Sequence, residues 1–185
     1  MINYVIVDLE ATCWENNKDH HMEIIEIGAI ILDENFEAID EYQSFVKPIV
    51  NPILSDFCKT LTNISQADVD SAPLFPEALQ GLLNRINQPV ILCSWGKYDE
   101  NQLIQDLELH HIPYYEFWSY HFNLKNIFAD VKSCKRCGVA KALAKLNIPF
   151  EGTHHRGIDD ARMIHCIADS ILKPKILETT LSILS

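Results

Sequence analysis

The arrangement of apolar segments predicts an α/β domain in which helices flank a mixed central sheet. Two observations lead to this prediction. Three β-rich runs come first and are separated by polar segments, which is typical of an antiparallel meander. A fourth apolar run then lies between segments of helical spacing, and this order is typical of sheets that contain both parallel and antiparallel neighbours.

The three leading strands are predicted over residues 4–7, 24–32 and 41–46. We expect turns near residues 16–19 and 33–37, where polar residues interrupt the apolar runs. The three strands together form the predicted meander.

The rest of the chain alternates helical patterns with one buried strand. The strand is predicted over residues 90–93 after Pro89, and Ser65 is a plausible cap for the first helix. Pro174 is expected to stop the last helix. We expect one domain over residues 1–185, with a core of about residues 4–172 and a C-terminal tail of residues 173–185. The predicted helices cover residues 65–69, 73–86, 99–107, 137–146 and 159–172.

The charge balance limits the partners of the chain. Its 15 basic and 26 acidic residues give a formal net charge of −11. This charge argues against tight binding to long nucleic-acid duplexes, because such binding depends on Lys and Arg that neutralise phosphates. A short single-stranded end is more compatible with the charge, and bound divalent cations would invert the field locally.

The sequence also suggests where the protein is located. No run of about 18 apolar residues indicates a membrane span, and the N-terminus lacks the basic and apolar pattern of a secretory signal. The six cysteines are scattered along the chain. We therefore expect reduced thiols and a cytoplasmic location.

Two carboxylates follow the first strand at a spacing that brings them together. Asp8 and Glu10 lie two positions apart, and alternate residues of a strand point to the same face. Desolvated like charges repel, so the pair needs cations, and its hard oxygen ligands suit Mg²⁺ or Mn²⁺. The alternative is a pair of solvated acids at an exposed strand end.

Two further segments carry candidate ligands. Asp99 opens a helix after the strand over residues 90–93, where a helix cap or a first-turn acid favoured by the helix dipole is the alternative reading. His155 precedes Asp160 by five residues at the start of the last helix. Asp159 can be explained as a cap, so Asp160 is the better ligand candidate, although a surface histidine and a capping pair are common.

Together these segments resemble the DEDDh exonucleases of the DnaQ-like group. The similarity is greatest to the branch that contains the histone-mRNA 3′ exonuclease and the enhancer-of-RNAi proteins. It extends over residues 4–172, in the order and at the intervals of that family. The similar blocks are VDLEATCWE (7–15), EIIEIGAIIL (23–32), LTNISQADVDSAPLFPEAL (61–79), SWGKYD (94–99) and HHRGIDDARMI (154–164).

The resemblance implies a ribonuclease-H-like fold and a two-metal 3′→5′ exonuclease that uses two Mg²⁺ or Mn²⁺ ions. It assigns Asp8, Glu10 and Asp160 to one metal, with Asp8 bridging to the second. Asp99 would act through bound water or on the second metal. His155 would be the general base, since the unperturbed pKa of histidine, about 6.5, suits that work.

The resemblance also implies contacts with a single-stranded RNA or DNA 3′ end. The backbone at Ala11 and Thr12 would meet the terminal sugar, where a contact with the 2′-OH would favour RNA. A wedge against the terminal base is assigned to Leu61 and Ile64. The candidate stacking residues, for which core packing is the alternative, are Trp14, Trp95 and Tyr98.

Several other features have two readings. Cys134 and Cys137 suggest zinc, but no second CxxC exists, so ordinary thiols are favoured. Arg156 either contacts a phosphate or pairs with the acidic surface, and Glu23 and Glu26 have no assigned role. The basic concentration either guides the nucleic acid or is a solvated face, and it consists of Lys125, Lys132, Lys135, Arg136 and Lys141.

The sequence favours an exoribonuclease and leaves three alternatives open. A 3′→5′ DNA exonuclease of the repair or proofreading type differs only in its substrate. A non-catalytic nucleic-acid-binding module is opposed by the complete set of ligands and His155. An endonuclease of the same fold is opposed by the spacing of His155 and Asp160. The sequence does not identify a protein partner.

Overall fold

The computed structural model describes residues 3–16, 20–86, 90–113 and 118–184. Within these residues a five-stranded sheet has the order β3-β2-β1-β4-β5. The β1–β2 and β2–β3 pairs are antiparallel, whereas β1–β4 and β4–β5 are parallel, so the predicted mixed sheet is confirmed. The strands are β1 (Asn3–Ala11), β2 (Ile24–Leu32), β3 (Ala38–Phe45), β4 (Val90–Ser94) and β5 (Trp118–Asn123).

Eight α-helices cover the faces and ends of this sheet in the described residues. They are α1 (Asp56–Thr62), α2 (Gln66–Asp70), α3 (Phe75–Leu83), α4 (Tyr98–Leu109), α5 (Leu124–Val131), α6 (Val139–Leu146), α7 (Gly157–Ile167) and α8 (Lys173–Leu184). The predicted cap of α2 is confirmed, because Ser65 forms a reciprocal capping box with Asp68.

Strand β1 is the centre of the sheet and separates two apolar layers. Tyr4 and Ile6 pack with α5, α6 and α7 on one face, whereas Val5, Val7 and Leu9 pack with α3 and α4 on the other. Alternate residues of a strand point to opposite faces. Asp8 and Glu10 therefore share the face of Tyr4 and Ile6, which is the face that α7 covers.

Besides α8, three elements were not located by the sequence patterns. Helices α1 and α5 are short and begin at polar caps, Ser55 and Asn123, whose side chains accept hydrogen bonds from backbone N–H groups of the first turn. The third is β5, which lies at the edge of the sheet. The predicted turn at residues 33–37 is present, whereas part of the turn predicted at 16–19 lies outside the described residues.

The prediction that Pro174 ends the last helix is wrong. Helix α7 continues through a π-helical turn, Ala168–Leu172, directly into α8. Pro174 is the second residue of α8, and the first turn of a helix tolerates proline because its N–H groups have no partner within the helix. The predicted tail is thus a packed helix, in which Ile176 is buried and Thr180 accepts a hydrogen bond from the Tyr4 hydroxyl at 2.8 Å.

None of the helices in the described residues has the length and apolar composition needed to cross a membrane.

Candidate active site

Three carboxylates meet where β1 leaves the apolar core. Asp8 and Glu10 come from β1, and Asp160 comes from the first turn of α7. One carboxylate oxygen of each lies within 4.8 Å of the others. In the described part of the chain, this is the only group of three or more acidic, histidine or cysteine side chains close enough to hold a metal ion.

Two glycines allow α7 to approach the sheet closely enough to form this group. A Cβ atom on Gly28 would lie 2.0 Å from the carbonyl carbon of Gly157. A Cβ atom on Gly157 would lie 2.8 Å from the backbone oxygen of Asp8, which is the residue that pairs with Gly28 in the sheet. Any larger side chain at either position would push α7, and Asp160 with it, away from Asp8.

Asp99 approaches β1 from the opposite side of the site. It lies in the first turn of α4, is almost fully buried, and accepts a hydrogen bond from the Leu9 N–H at 3.1 Å. The N-cap of α4 is Lys97, so Asp99 is not the helix cap, but it is an acid of the first turn, as the other alternative expected.

Burial and mutual repulsion change the acidity of these carboxyl groups. Burial raises the pKa of Asp8 well above its usual value, and the charges of Asp99 and Asp160 add to the effect. Burial raises the pKa of Glu10 to about 8 and that of Asp99 to about 6. The pKa of Asp160 is also raised by burial, and the hydrogen bond from His155 opposes this change. Four carboxylates in this setting require a compensating positive charge.

The donor set fits hard divalent cations. All four side chains offer carboxylate oxygens, which are suitable ligands for Mg²⁺ and Mn²⁺. They are not the ligands that softer metals prefer. Partial burial would strengthen the attraction between the carboxylates and a cation. Asp8, Glu10 and Asp160 form the group of three carboxylates, and Asp99 lies outside it, so the metal-ligand role of these four residues stays a prediction.

His155 lies on the exposed turn that leads into α7. Its φ angle is 59°, a left-handed conformation that is uncommon for residues other than glycine. Its backbone N–H donates to Asp160 Oδ2 at 2.7 Å, so the backbone of His155 is bonded directly to a candidate metal ligand. The N-cap of α7 is Arg156, and Asp159 instead accepts a hydrogen bond from the Thr153 N–H at 2.9 Å. Asp159 is therefore a loop anchor rather than the predicted cap.

The two predicted sugar contacts lie at the end of β1. Ala11 and Thr12 are both buried. The Thr12 N–H donates to the Glu23 backbone oxygen at 2.8 Å, and its hydroxyl accepts from the Glu23 N–H at 2.9 Å. Because that N–H is already paired, a contact with the terminal sugar through the Thr12 backbone would have to use its carbonyl group.

The predicted base contacts separate into exposed and buried residues. Leu61 and Tyr98 have exposed side chains, and half-buried Trp14 stacks on His20 with ring centroids 4.1 Å apart. Ile64 is 1% exposed within a small apolar cluster. Its prediction as a base wedge is corrected, since packing already covers its surface.

Trp95 also belongs to the core. It is 6% exposed, packs against Phe128, and donates its indole N–H to the Cys137 backbone oxygen at 2.9 Å. The ring of Trp95 is therefore covered by other side chains and its indole N–H is already paired. This agrees with the alternative of core packing and not with a stacking role. Exposed Tyr98 remains a candidate stacking residue.

The sequence patterns missed the part played by Glu26. This fully buried carboxylate accepts the Gly157 N–H at 3.1 Å and the Arg156 Nε–H at 3.2 Å. Arg156 also lies over the Phe45 ring, so it pairs with a buried acid rather than with the acidic surface. The sequence did contain an indication of this role. Glu26 is a charged residue within the apolar run 24–32, and a buried charge needs a partner.

Glu23, the other unassigned acid, anchors a loop. Its two carboxylate oxygens accept hydrogen bonds from the N–H groups of Ile49, Val50 and Asn51 at distances of 2.6–3.0 Å. It therefore fixes the segment that precedes α1.

The remaining alternatives concern basic residues and thiols. The Lys125 ammonium lies near the turn at Gly96, and its charge partly offsets the rise that burial causes in the pKa of Asp99, which places one member of the basic concentration beside the site. All six cysteines are free thiols. Among the described residues, Cys134 and Cys137 belong to no group of three potential metal donors.

Comparison with known proteins identifies relatives of the same kind. Residues 5–167 match the family model described as exonuclease, RNase_T. The chain is 29% identical to the 3′-5′ exonuclease eri1 of Schizosaccharomyces pombe, over 93% of this chain and 68% of that protein. It is 30% identical to human 3′-5′ exoribonuclease 1, over 91% of this chain but only 52% of that protein, so it spans about half the length of the human relative.

A solved structure supports the same relationship. The nuclease domain of 3′hExo, a DEDDh family member bound to rAMP, superposes with a TM-score of 0.83 at 30% identity. The match covers 93% of this chain and 92% of that domain. The chain belongs to the RNase_T exonuclease family, and it has a DEDDh-type 3′→5′ exonuclease domain of the ribonuclease-H-like fold.

Proposed function

We propose that this protein removes nucleotides one at a time from the 3′ end of single-stranded RNA or of RNA 3′ overhangs, with two Mg²⁺ or Mn²⁺ ions. The products would be nucleoside 5′-monophosphates. One observation carries the proposal, namely the cluster of Asp8, Glu10 and Asp160 with His155 hydrogen-bonded to its edge.

The carboxylates supply the metal-binding half of this reaction. Two bound divalent ions would activate a water molecule, neutralise charge on the phosphate and assist the leaving 3′-oxygen. Asp8, Glu10 and Asp160 would hold the first ion, and Asp8 would also reach the second. Asp99 faces the same strand through its bond to the Leu9 N–H, so it would orient the second ion directly or through water.

His155 supplies the proton-transfer half. Its exposed side chain stands on the turn whose backbone is bonded to Asp160, so the imidazole is available to a water molecule at the metal site. Removing a proton from that water is a general-base role, and such groups usually contribute about 10²- to 10⁴-fold to the rate.

One observation favours RNA as the substrate, and two concern how a short nucleic-acid end would bind. The curated relatives include exoribonucleases, and the solved 3′hExo domain binds a ribonucleotide. The net charge of −11 disfavours long phosphate contacts. Lys125 beside the Gly96 turn offers a local positive charge for a phosphate near the cleaved bond.

The test is a time course of 5′-labelled single-stranded RNA and DNA of matched sequence with Mg²⁺, Mn²⁺ or chelator. We expect a metal-dependent ladder that shortens from the 3′ end and is faster on RNA. Equal or faster cleavage of DNA would favour the DNA exonuclease. Cuts in a circular substrate would indicate an endonuclease, and binding without cleavage would indicate a nucleic-acid-binding module.

A further inference from the structure

Glu26 is a buried charge that the proposed chemistry does not use. Its carboxylate is 0% exposed on β2, directly opposite Glu10 in the sheet register. It adds negative charge beside carboxylates that already repel one another, and it contributes to the raised pKa of both Asp8 and Glu10. A buried charge in such a place is costly unless hydrogen bonds hold it.

The hydrogen bonds of Glu26 converge on the segment that carries the predicted general base. One oxygen accepts the Gly157 N–H at 3.1 Å and the Arg156 Nε–H at 3.2 Å. The other accepts from Arg156 at 3.4 Å and from the Gln43 side-chain amide at 3.1 Å. Arg156 and Gly157 directly follow His155 in the chain, and hydrogen bonds to Glu26 tie both of them to β2.

The local geometry makes this anchor necessary. His155 adopts a left-handed conformation at φ 59°, and its side chain is exposed, so packing around the imidazole does not determine its position. Strained backbone of this kind persists only when surrounding contacts hold it, at a cost of about 1–3 kcal/mol. The N–H bond to Asp160 fixes one side of the residue, and the Glu26 contacts fix the other.

We propose that Glu26 is a positioning residue, which holds His155 and the start of α7 at the metal site through Gly157 and Arg156. This role rests on the proposed exonuclease reaction, but the position of the segment can be measured without any turnover.

A matched control is available in Asp106. This buried carboxylate also accepts a hydrogen bond from a backbone N–H of β2, that of Ile24 at 3.0 Å, and one from a side-chain amide, that of Gln102 at 2.7 Å. None of its hydrogen bonds reaches α7 or the turn before it. Asp106→Asn therefore reports the general effect of neutralising a buried acid that is bonded to β2.

The experiment compares Glu26→Gln with Asp106→Asn by thermal unfolding, hydrogen–deuterium exchange and steady-state kinetics. In Glu26→Gln we expect faster exchange across residues 153–158 and a kcat lowered roughly 10- to 100-fold, the usual scale for outer-shell partners of a metal site. KM should change little. Asp106→Asn should lose stability but keep wild-type exchange in residues 153–158 and wild-type kcat.

The inference is overturned if folded Glu26→Gln shows the same hydrogen–deuterium exchange as the wild type over residues 153–158. It is also overturned if Asp106→Asn lowers kcat as much as Glu26→Gln does when the two variants are equally stable. If Glu26→Gln does not fold, Arg156→Lys provides the test, because it keeps the charge but loses the two-point contact. Unchanged exchange and kcat in that variant would also refute the role. If the wild-type protein had no nuclease activity, the proposed function would be refuted instead. The comparison of hydrogen–deuterium exchange would still show whether Glu26 holds residues 153–158 in place.

Discussion

Asp8 and Glu10 lie on a central strand with partners on both sides, whereas His155 lies on an exposed turn. The first two are fixed by the β1–β2 ladder, and β1 also pairs with β4 up to Ile6. The turn is fixed by one hydrogen bond to Asp160, one to Asp159 and three from Arg156 and Gly157 to Glu26. Two of the four candidate metal ligands, Asp8 and Glu10, are therefore built into the sheet, whereas Asp99 and Asp160 come from the first turns of α4 and α7. The position of His155 depends on a few hydrogen bonds around the turn.

Substitutions on the strand and on the turn should therefore have different effects. Replacing Asp8 or Glu10 would change the charge of the site within a rigid sheet, so it should affect metal binding and the pKa values of the neighbouring carboxyl groups. Replacing His155 should affect the rate and leave metal binding intact. The following predictions test this separation, from the largest expected effect to the smallest.

The largest effect is expected from Asp8→Asn. The variant removes charge from the proposed bridging ligand, so turnover should fall by at least about 10³-fold, because a metal site supplies several kcal/mol of stabilisation. Calorimetric titration with Mn²⁺ should show weakened binding. Asp130→Asn, which neutralises an exposed acid on α5, is the control and should behave like the wild type. Substantial activity of Asp8→Asn would refute its role as a metal ligand.

His155→Ala should lower kcat by about 10²- to 10⁴-fold while Mn²⁺ binding stays near the wild-type value. The neighbouring variant His154→Ala is the control, since the His154 ring packs against Phe150 with centroids 3.6 Å apart. A rate measurement on both variants decides the assignment. If His154→Ala lost activity and His155→Ala kept it, the general base would be His154.

The smallest effect concerns stability without metal. The pKa of Glu10 is raised to about 8 in the folded protein, so the folded state keeps a proton that the unfolded chain loses near pH 4.5. Stability is therefore lost as pH rises from about 4.5 through about 8. In chelator, the wild-type melting temperature should fall more than that of Glu10→Gln over this range, with about 2–4 °C expected for each 1 kcal/mol in a domain of this size.

Mg²⁺ added at pH 8 should restore the melting temperature of the wild type and have a smaller effect on Glu10→Gln, because the ion replaces the proton as the compensating charge. Parallel melting curves for the two proteins across the pH range would contradict the raised pKa.

Much of the fold could be predicted because local sequence specifies it. The run at residues 24–32 has the same bounds as β2, and the Ser65 cap was found at its predicted place. Helices α1 and α5, which have seven and eight residues, were missed. The stop at Pro174 failed because proline is tolerated in the first turn of a helix.

The base contacts show where local sequence is insufficient. Trp95 and Tyr98 lie three residues apart in one motif, yet one is in the core and the other is exposed. An aromatic side chain suits either setting, so only the packing of α5 and the Cys137 carbonyl against Trp95 separated them. Ile64 was misjudged for the same reason.

The sequence by itself determined the chemistry of the site, because the spacing of Asp8 and Glu10 on a strand fixes a shared face. It also supplied Asp99, His155 and Asp160 in an order that resembles one family. Only the tertiary structure decided how these groups are held together. Glu26 and His155 are 129 positions apart in the chain, and the contacts that join them through Gly157 arise from the approach of α7 to β2, which no local pattern encodes.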